Sequence, residues 1–374
     1  MSANGPKRTF GPGDCCHAKC DRRNPIPPVA NSCCNRVLIG VVPASGKAMR
    51  RREFITAIAG SAAAWPLTAQ AQQTGKTARI GFLGAASASG YARQVEGFRS
   101  GLRDLGYIES TNIVITYRWA EGNYARLPEL AADLVNSGVD VIVTHGTPGT
   151  LAAKQTTATV PIVIASVGDP VASSIVRSLA HPEGNITGSS WFGPEVESKR
   201  VELLKETIPR LSQLAALVNP DNRVTQLDLQ AMETTARVIN VGLQQFPVRN
   251  PSEFEDAFAK MEQGHVEAVV VQDEGMLIAN MAGIATLAIK RRLPAIGDRS
   301  FAEAGGLMGY GVDFVAQFNR AATFVDKILK GTKPADIPIE RASKFDFVFN
   351  LKTAKVLGLD APTSILLRAD EVIE

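Results

Sequence analysis

Six short stretches of this 374-residue chain gather the small and polar residues that hold ligands without covalent chemistry. "GAASASG" (84–90) offers Ser87 and Ser89, "THGTPGT" (144–150) offers Thr147 and Thr150, and "ASVGDPVASS" (165–174) offers Ser166, Asp169 and Ser173. Further on, "VNPDN" (218–222) offers Asn219, Asp221 and Asn222, "VQDEG" (271–275) offers Gln272 and Asp273, and "GDRS" (297–300) offers Asp298 and Arg299. Hydroxyls beside the free N–H groups of a helix start suit a carboxylate, which points to Thr147 and Ser87. Asp169 or Asp273 then suits an ammonium group. A charge-assisted bond is worth roughly 1.5–3 kcal/mol net, so a few of them reach micromolar affinity. The plainer reading is that Thr147, Ser173 and Asn222 are helix N-caps and that Asp169-Pro170 opens a turn.

Constellations for catalysis are missing by comparison. The histidines after residue 71 (His145, His181, His265) lie in separate segments without metal-ligand spacing. There is no Gly-x-Ser-x-Gly elbow, phosphate loop or Gly-x-Gly-x-x-Gly fingerprint, and Gly81, Gly84 and Gly90 have the wrong spacing for a dinucleotide. Carboxylate catalysis needs no short motif and stays open. The expectation is therefore a binder with no catalytic set, no metal and no cofactor. Trp191, in "NITGSSWFG", stands where a crossover between lobes is expected and suits stacking on an aromatic ligand or packing at a hinge; Trp119 suits packing.

The elements that would position these stretches alternate. Strands are predicted over 78–84, 112–119, 139–146 and 160–167, with helices over 91–106, 124–138 and about 149–157. Nearly unbroken Val and Ile implies strands buried on both faces, hence a parallel sheet flanked by helices. Gly106 and Gly138 sit where a helix end takes a left-handed residue. A second series follows, with strands over 211–220, 241–248, 265–273, 293–298 and 306–311 and helices near 222–240, 251–263 and 276–291. A helix over 314–331, a Pro-rich turn and a strand over 344–350 are left over. The fold class is thus α/β, two Rossmann-like doubly wound lobes joined by a hinge. The expected division is 72–190 plus about 312–343 for the first lobe and 191–311 plus about 344–374 for the second. A cleft between such lobes is where small ligands sit.

Residues 49–71, "MRRREFITAIAGSAAAWPLTAQA", read as a signal peptide: Arg50, Arg51 and Arg52 form a basic head, Phe54 to Leu67 an interrupted apolar core, and Ala69-Gln70-Ala71 a cleavage site. The core falls short of the roughly 20 apolar residues of a membrane span, so no stable membrane insertion is expected after cleavage at Ala71. Arg51-Arg52-Glu53-Phe54-Ile55 fits a twin-arginine export pattern, while the triple arginine leaves ordinary export open. Residues 1–48 hold all five cysteines, in adjacent pairs that do not make a zinc knuckle. They read as sequence ahead of a true start at Met49, or as a leader expected to be disordered. Residues 1–71 carry 10 of the 40 basic and 3 of the 37 acidic side chains, leaving 30 against 34 and a net charge of −4. The remainder has no cysteine, and its mild acidity gives no reason to expect nucleic-acid binding.

Together, "RRREF…AWPL…AQAQQ", "RIGFLG", "GLRDLGY", "NIVITYRWAEG", "RLPELAADLV", "PIVIASVGDPV", "LAHPEGNITG", "KRVELLKE", "AGGLMGYG", "RAATFVDKILKG" and "NLKTAKVLGL" resemble the ABC transporter substrate-binding proteins of the tryptophan/tyrosine type, over essentially all of 49–374. The resemblance implies a type I periplasmic-binding fold with three crossing strands. It also implies closure on a ligand, docking on a membrane permease, and an aromatic amino acid as one ligand. A periplasmic, monomeric binder of a small carboxylated solute is thus the expected function. A sensor-feeding binder and a small-molecule enzyme stand as alternatives. A repressor's effector domain would carry a basic DNA-binding head where this chain has its export segment.

Overall fold

The computed structural model describes residues 77–374. The leader, the export segment and the cleavage point after Ala71 lie outside the described residues. The described chain builds two sheets. The first contains β1 (Ala78–Gly84), β2 (Ile113–Trp119), β3 (Val141–His145), β4 (Ile162–Val167) and β5 (Ile186–Ser190), and a short later strand joins its edge. The second contains β6 (Gln213–Val218), β7 (Gly242–Pro247), β8 (Ala268–Val271), β9 (Ala295–Gly297) and β10 (Met308–Gly311). The chain then returns to the first sheet with β11 (Glu340–Arg341) and ends in the second with β12 (Asp346–Asn350) and β13 (Glu371–Ile373). The orders are β11-β5-β4-β3-β1-β2 and β13-β12-β10-β9-β8-β6-β7.

All pairings are parallel except β10 with β12, which is antiparallel. That departs from a purely parallel second sheet: β12 enters directly from the third crossing, with no helix to turn it round. The crossings fall after Ser190, after Gly311 and between Arg341 and Asp346. Three passes make a hinge, as expected for lobes that move against each other.

Alternating strand residues feed opposite faces. Ile80, Phe82, Val141, Val143, Val163 and Ala165 are buried in one core, toward helices Ala92–Asp104 and Phe314–Leu329. Leu83, Ile142, Ile162 and Ile164 are buried in the other, toward helices Leu127–Asn136 and Gly146–Thr156. Gly106 and Gly138 have φ of +85° and +72°, as their helix ends require. Asp313 and Asn350 cap the next helices, accepting from the backbone N–H of Ala316 at 2.9 Å and Thr353 at 3.0 Å.

Several elements differ from the sequence expectation. β5 carries the first lobe to Ser190, and helix Gly193–Thr207 follows it, in a stretch that shows no clean apolar stripe. The stripe is masked because its buried face includes Glu197 and Arg200 alongside Val196, Val201, Leu203 and Leu204. The helix expected over 276–291 is two, Gly275–Ile278 and Met281–Lys290.

Candidate functional site

The C-terminal ends of β3, β4, β6 and β8 face one cleft, the edge at which open α/β sheets bind ligands. The space between atoms there comes to about 580 Å³ with open solvent included. From the first lobe come Tyr91, His145, Thr147, Ser166, Asp169 and, at the first crossing, Trp191. The second lobe supplies Asn222, Asp228, Asp273 and Gly275, and Phe314 and Phe318 close the hinge side. Aromatic rings make the wall. Tyr91 lies against His145 with ring centroids 4.1 Å apart, and Phe318 meets both at 6.0 and 5.6 Å. Trp191 meets Phe314 edge to face at 5.9 Å.

His145 ends β3 and accepts the Ala85 backbone N–H at Nε2 over 3.4 Å. Burial presses its pKa down to about 3, so the ring is neutral at physiological pH. Helix Gly146–Thr156 starts directly after it, with no side chain capping its first turn and with the proline at 148 lacking an N–H. Thr147, at that start, is buried and lines the cavity. Ser166 Oγ is buried there without a hydrogen-bond partner.

The opposite wall is acidic. Arg200, fully buried, donates to Asp273 Oδ1 at 2.7 Å, to Glu197 Oε1 at 3.2 Å and to the backbone oxygens of Val271 and Tyr310 at 2.9 and 2.8 Å. The Asp273 backbone N–H donates to Glu197 Oε1 at 2.8 Å. Gln272 donates to Asp228 Oδ2 at 2.7 Å. Asp273 Oδ2 and Glu197 Oε2 have no donor. Burial is the chief reason that the carboxyls of Asp273, Glu197 and Asp228 all titrate above the usual carboxylate range, the last two at about 7. Across the cleft mouth, Tyr124 of the first lobe donates its hydroxyl to Glu274 of the second. Glu274 also accepts from Asn219 Nδ2 at 3.3 Å and from the Met276 backbone N–H at 2.9 Å.

A cleft of this build, with a neutral ring wall and facing polar ends, is a binding site in search of a relative. The family model described as "ABC transporter substrate binding protein" matches residues 80–373. The chain belongs to the ABC transporter substrate-binding protein family. A tyrosine-binding protein of Clostridioides difficile is 24% identical over 280 residues, 74% of this chain and 80% of the relative. Among solved structures, a conserved domain protein of Vibrio cholerae superposes with TM-score 0.74 at 26% identity, covering 79% of this chain and all of that one. The ABC domain of a Streptococcus pneumoniae protein in complex with L-Trp gives 0.73 at 25%, covering 80% and 100%. The fold is thus that of type I periplasmic-binding proteins.

Of the residues singled out from the sequence, the cavity brings together Thr147, Ser166, Asp169, Trp191 and Asp273. Asp169 also closes its own turn, its Oδ1 accepting the N–H groups of Val171 and Ala172 at 2.9 Å each. Asn219 and Gln272 stand behind the wall, holding Glu274 and Asp228. Others lie elsewhere. Ser87 accepts the Gly90 N–H at 3.2 Å and Ser89 is exposed beside it, so both shape the first turn. Asp221 is exposed and pairs with Arg249 at 3.3 Å. Arg299 is spent on Glu303 at 2.7 Å and on Glu371. Thr150 is buried but donates to the Gly146 oxygen, one turn back. Tyr91, His145, Asp228 and Phe318 were missed. His145 ends a strand at the binding edge, a position that marks it whatever its metal-ligand spacing. Among the described residues no group of three or more His, Cys, Asp or Glu is placed to hold a metal, and no helix is long and apolar enough to cross a membrane.

Proposed function

We propose that this chain is the periplasmic solute-binding protein of an ABC importer and that its ligand is an amino acid with an aromatic side chain. One observation carries the reading: a ring-lined cavity has an uncapped helix start on one wall and buried carboxylates on the other. The ligand carboxylate docks at Gly146 and Thr147, where N–H groups and the helix dipole favour an anion. Its ammonium faces Asp228 and Asp273, and its ring lies among Tyr91, Trp191 and Phe318. The relatives named for tyrosine and solved with L-Trp support the ligand class. Residues 49–71 act as the export signal, cut after Ala71, and the monomeric mature chain closes on its ligand and presents it to a membrane permease.

The test is a melting-temperature panel on the mature chain. L-Trp and L-Tyr are expected to raise the melting point. Tryptamine, which lacks the carboxylate, and indole-3-propionate, which lacks the ammonium, are expected to raise it less. A shift with neutral sugars and none with amino acids would sink the reading.

A further inference from the structure

Behind the acidic wall sits more negative charge than the structure neutralises. Glu197 and Arg200 are 0% exposed, Asp228 2% and Asp273 7%. Three carboxylates therefore share one guanidinium inside the protein, a net charge of −2 if all are ionised. Other acids nearby are better served. Asp298, after β9, accepts from Ser300 Oγ at 2.6 Å and the Phe301 N–H at 3.0 Å, and Glu274 has four donors. No such set surrounds Glu197 and Asp273, each of which keeps one oxygen without a donor. Two carboxylates joined through one arginine, with a third beside them, cannot all stay ionised away from water.

We propose that the Glu197–Asp228–Asp273 cluster holds one proton in the ligand-free protein and that the ligand's ammonium group expels it, so that binding exchanges a cation for a proton. This deepens the proposed function and rests on its placing of the ammonium at Asp228 and Asp273. The balance is simple: R–NH₃⁺ enters, H⁺ leaves to the buffer, and the cluster, Arg200 and the ammonium together carry −1 in the bound state, as the protonated cluster and Arg200 do without ligand. Glu197 is the positioning residue. It lies outside the cavity lining, shares Arg200 with Asp273 and makes the third negative charge. The groups that face the cluster are Arg200 on Glu197's own helix, Glu274 beyond β8, Asp298 beyond β9, Tyr310 on β10 and, across the cleft, Tyr91. Arg200 is the sole cation among them, and it keeps its charge throughout. The titration near 7 of Glu197 and Asp228 agrees with a proton shared among the acids.

The sign follows. Below neutral pH the cluster keeps its proton and the ammonium must displace it, so affinity falls as pH falls, by up to about tenfold per unit for one proton. Above it the proton is already gone and the affinity levels off. Calorimetry of L-tryptophan binding at pH 7 in two buffers of different ionisation heat counts the protons released. About 0.5 to 1 is expected, and a count near zero with tryptophan bound overturns the proposal. Carboxyl-carbon NMR of the ligand-free protein is the independent arm: one cluster carboxyl should titrate between pH 6 and 8, and a cluster fully ionised at pH 6 overturns the proposal as well. Should tryptophan not bind, the aromatic amino-acid reading falls alone, and the ligand-free titration still decides the proton. Glu197→Gln should bind with a flat pH profile and no proton release. Persistent release in Glu197→Gln counts against the cluster, and if that variant does not fold the ligand-free carboxyl titration of the wild type decides the proton.

Discussion

Tyr124→Phe deletes one hydroxyl and leaves a ring of nearly the same shape. Tyr124 belongs to the turn after β2 in the first lobe, whereas Glu274 follows β8 in the second, so their hydrogen bond exists only while the lobes are together. Tyr124 is half-buried and Glu274 buried, and burial is the main reason that the Tyr124 hydroxyl titrates well above its ordinary value and the Glu274 carboxyl above its own. A hydrogen bond to a charged group contributes about 1.5–3 kcal/mol. On the reading that the bond forms only in the closed, ligand-bearing state, that energy is drawn from binding: dissociation constants should rise about 10- to 150-fold. Glu274 keeps its bonds to Asn219, Met276 and Leu277 and so remains in place. Calorimetry with L-tryptophan reads the affinity, and a melting curve of the ligand-free variant reads stability. The expected pattern is weakened binding with an almost unmoved ligand-free melting point. Affinity within twofold of wild type, together with a lowered ligand-free melting point, would show that the lobes are joined at Tyr124 whether or not ligand is present, and would refute the reasoning.

Two further perturbations probe closure and the ring wall. At Gly90 an added Cβ would lie 2.5 Å from both Cβ and the backbone oxygen of Ala279 in the opposite lobe. Gly90→Val is therefore expected to hold the lobes apart, seen as a larger radius of gyration in small-angle scattering with ligand and at least tenfold weaker binding; scattering identical to the liganded wild type would count against it. Trp191 lines the cavity beside Phe314, whereas Trp119 packs on Phe82 at 5.3 Å on the outer strand β2. Titrating with L-tyrosine while exciting tryptophan should change the emission of the wild type. Trp191→Phe should abolish the change and Trp119→Phe should preserve it, and the reverse pattern would move the ring site away from the first crossing.

How much of this was legible in the sequence depended on whether a residue's job is local. The buried strands of both sheets announce themselves because Val and Ile on two faces leave no other reading, and Gly106 and Gly138 because a left-handed turn leaves a mark at one position. β5 was hard to see for the opposite reason. Its "ITGSS" is buried by neighbouring strands, and Thr187 spends its hydroxyl on the Ile337 oxygen at 2.8 Å, a partner 150 residues away that nothing local foretells. The same division runs through the site. Thr147, Ser166 and Asp169, at or just past strand ends on the sheet edge, line the cavity, yet Ser87, Asp221 and Arg299 satisfy the same rule and are occupied by their own turns and ion pairs. Sequence position tells which residues reach the edge, not which still have a free valence when they arrive.

The acidic wall shows why that second question is the functional one. Glu197 and Arg200 are three apart on one helix face and read, taken alone, as an exposed helix ion pair of a few tenths of a kcal/mol. What changes their meaning is Asp273, carried in from the loop after β8 and held 2.7 Å from the same guanidinium. Burial then turns a surface ornament into an unbalanced charge, and breaking such a buried pair costs several kcal/mol where breaking an exposed one costs almost nothing. A site that keeps such an imbalance facing its cavity gains a reason to prefer a cation over a neutral ligand of the same shape. On the proposed reading, ligand choice in this protein is set as much by the helix behind the cleft as by the residues that line it.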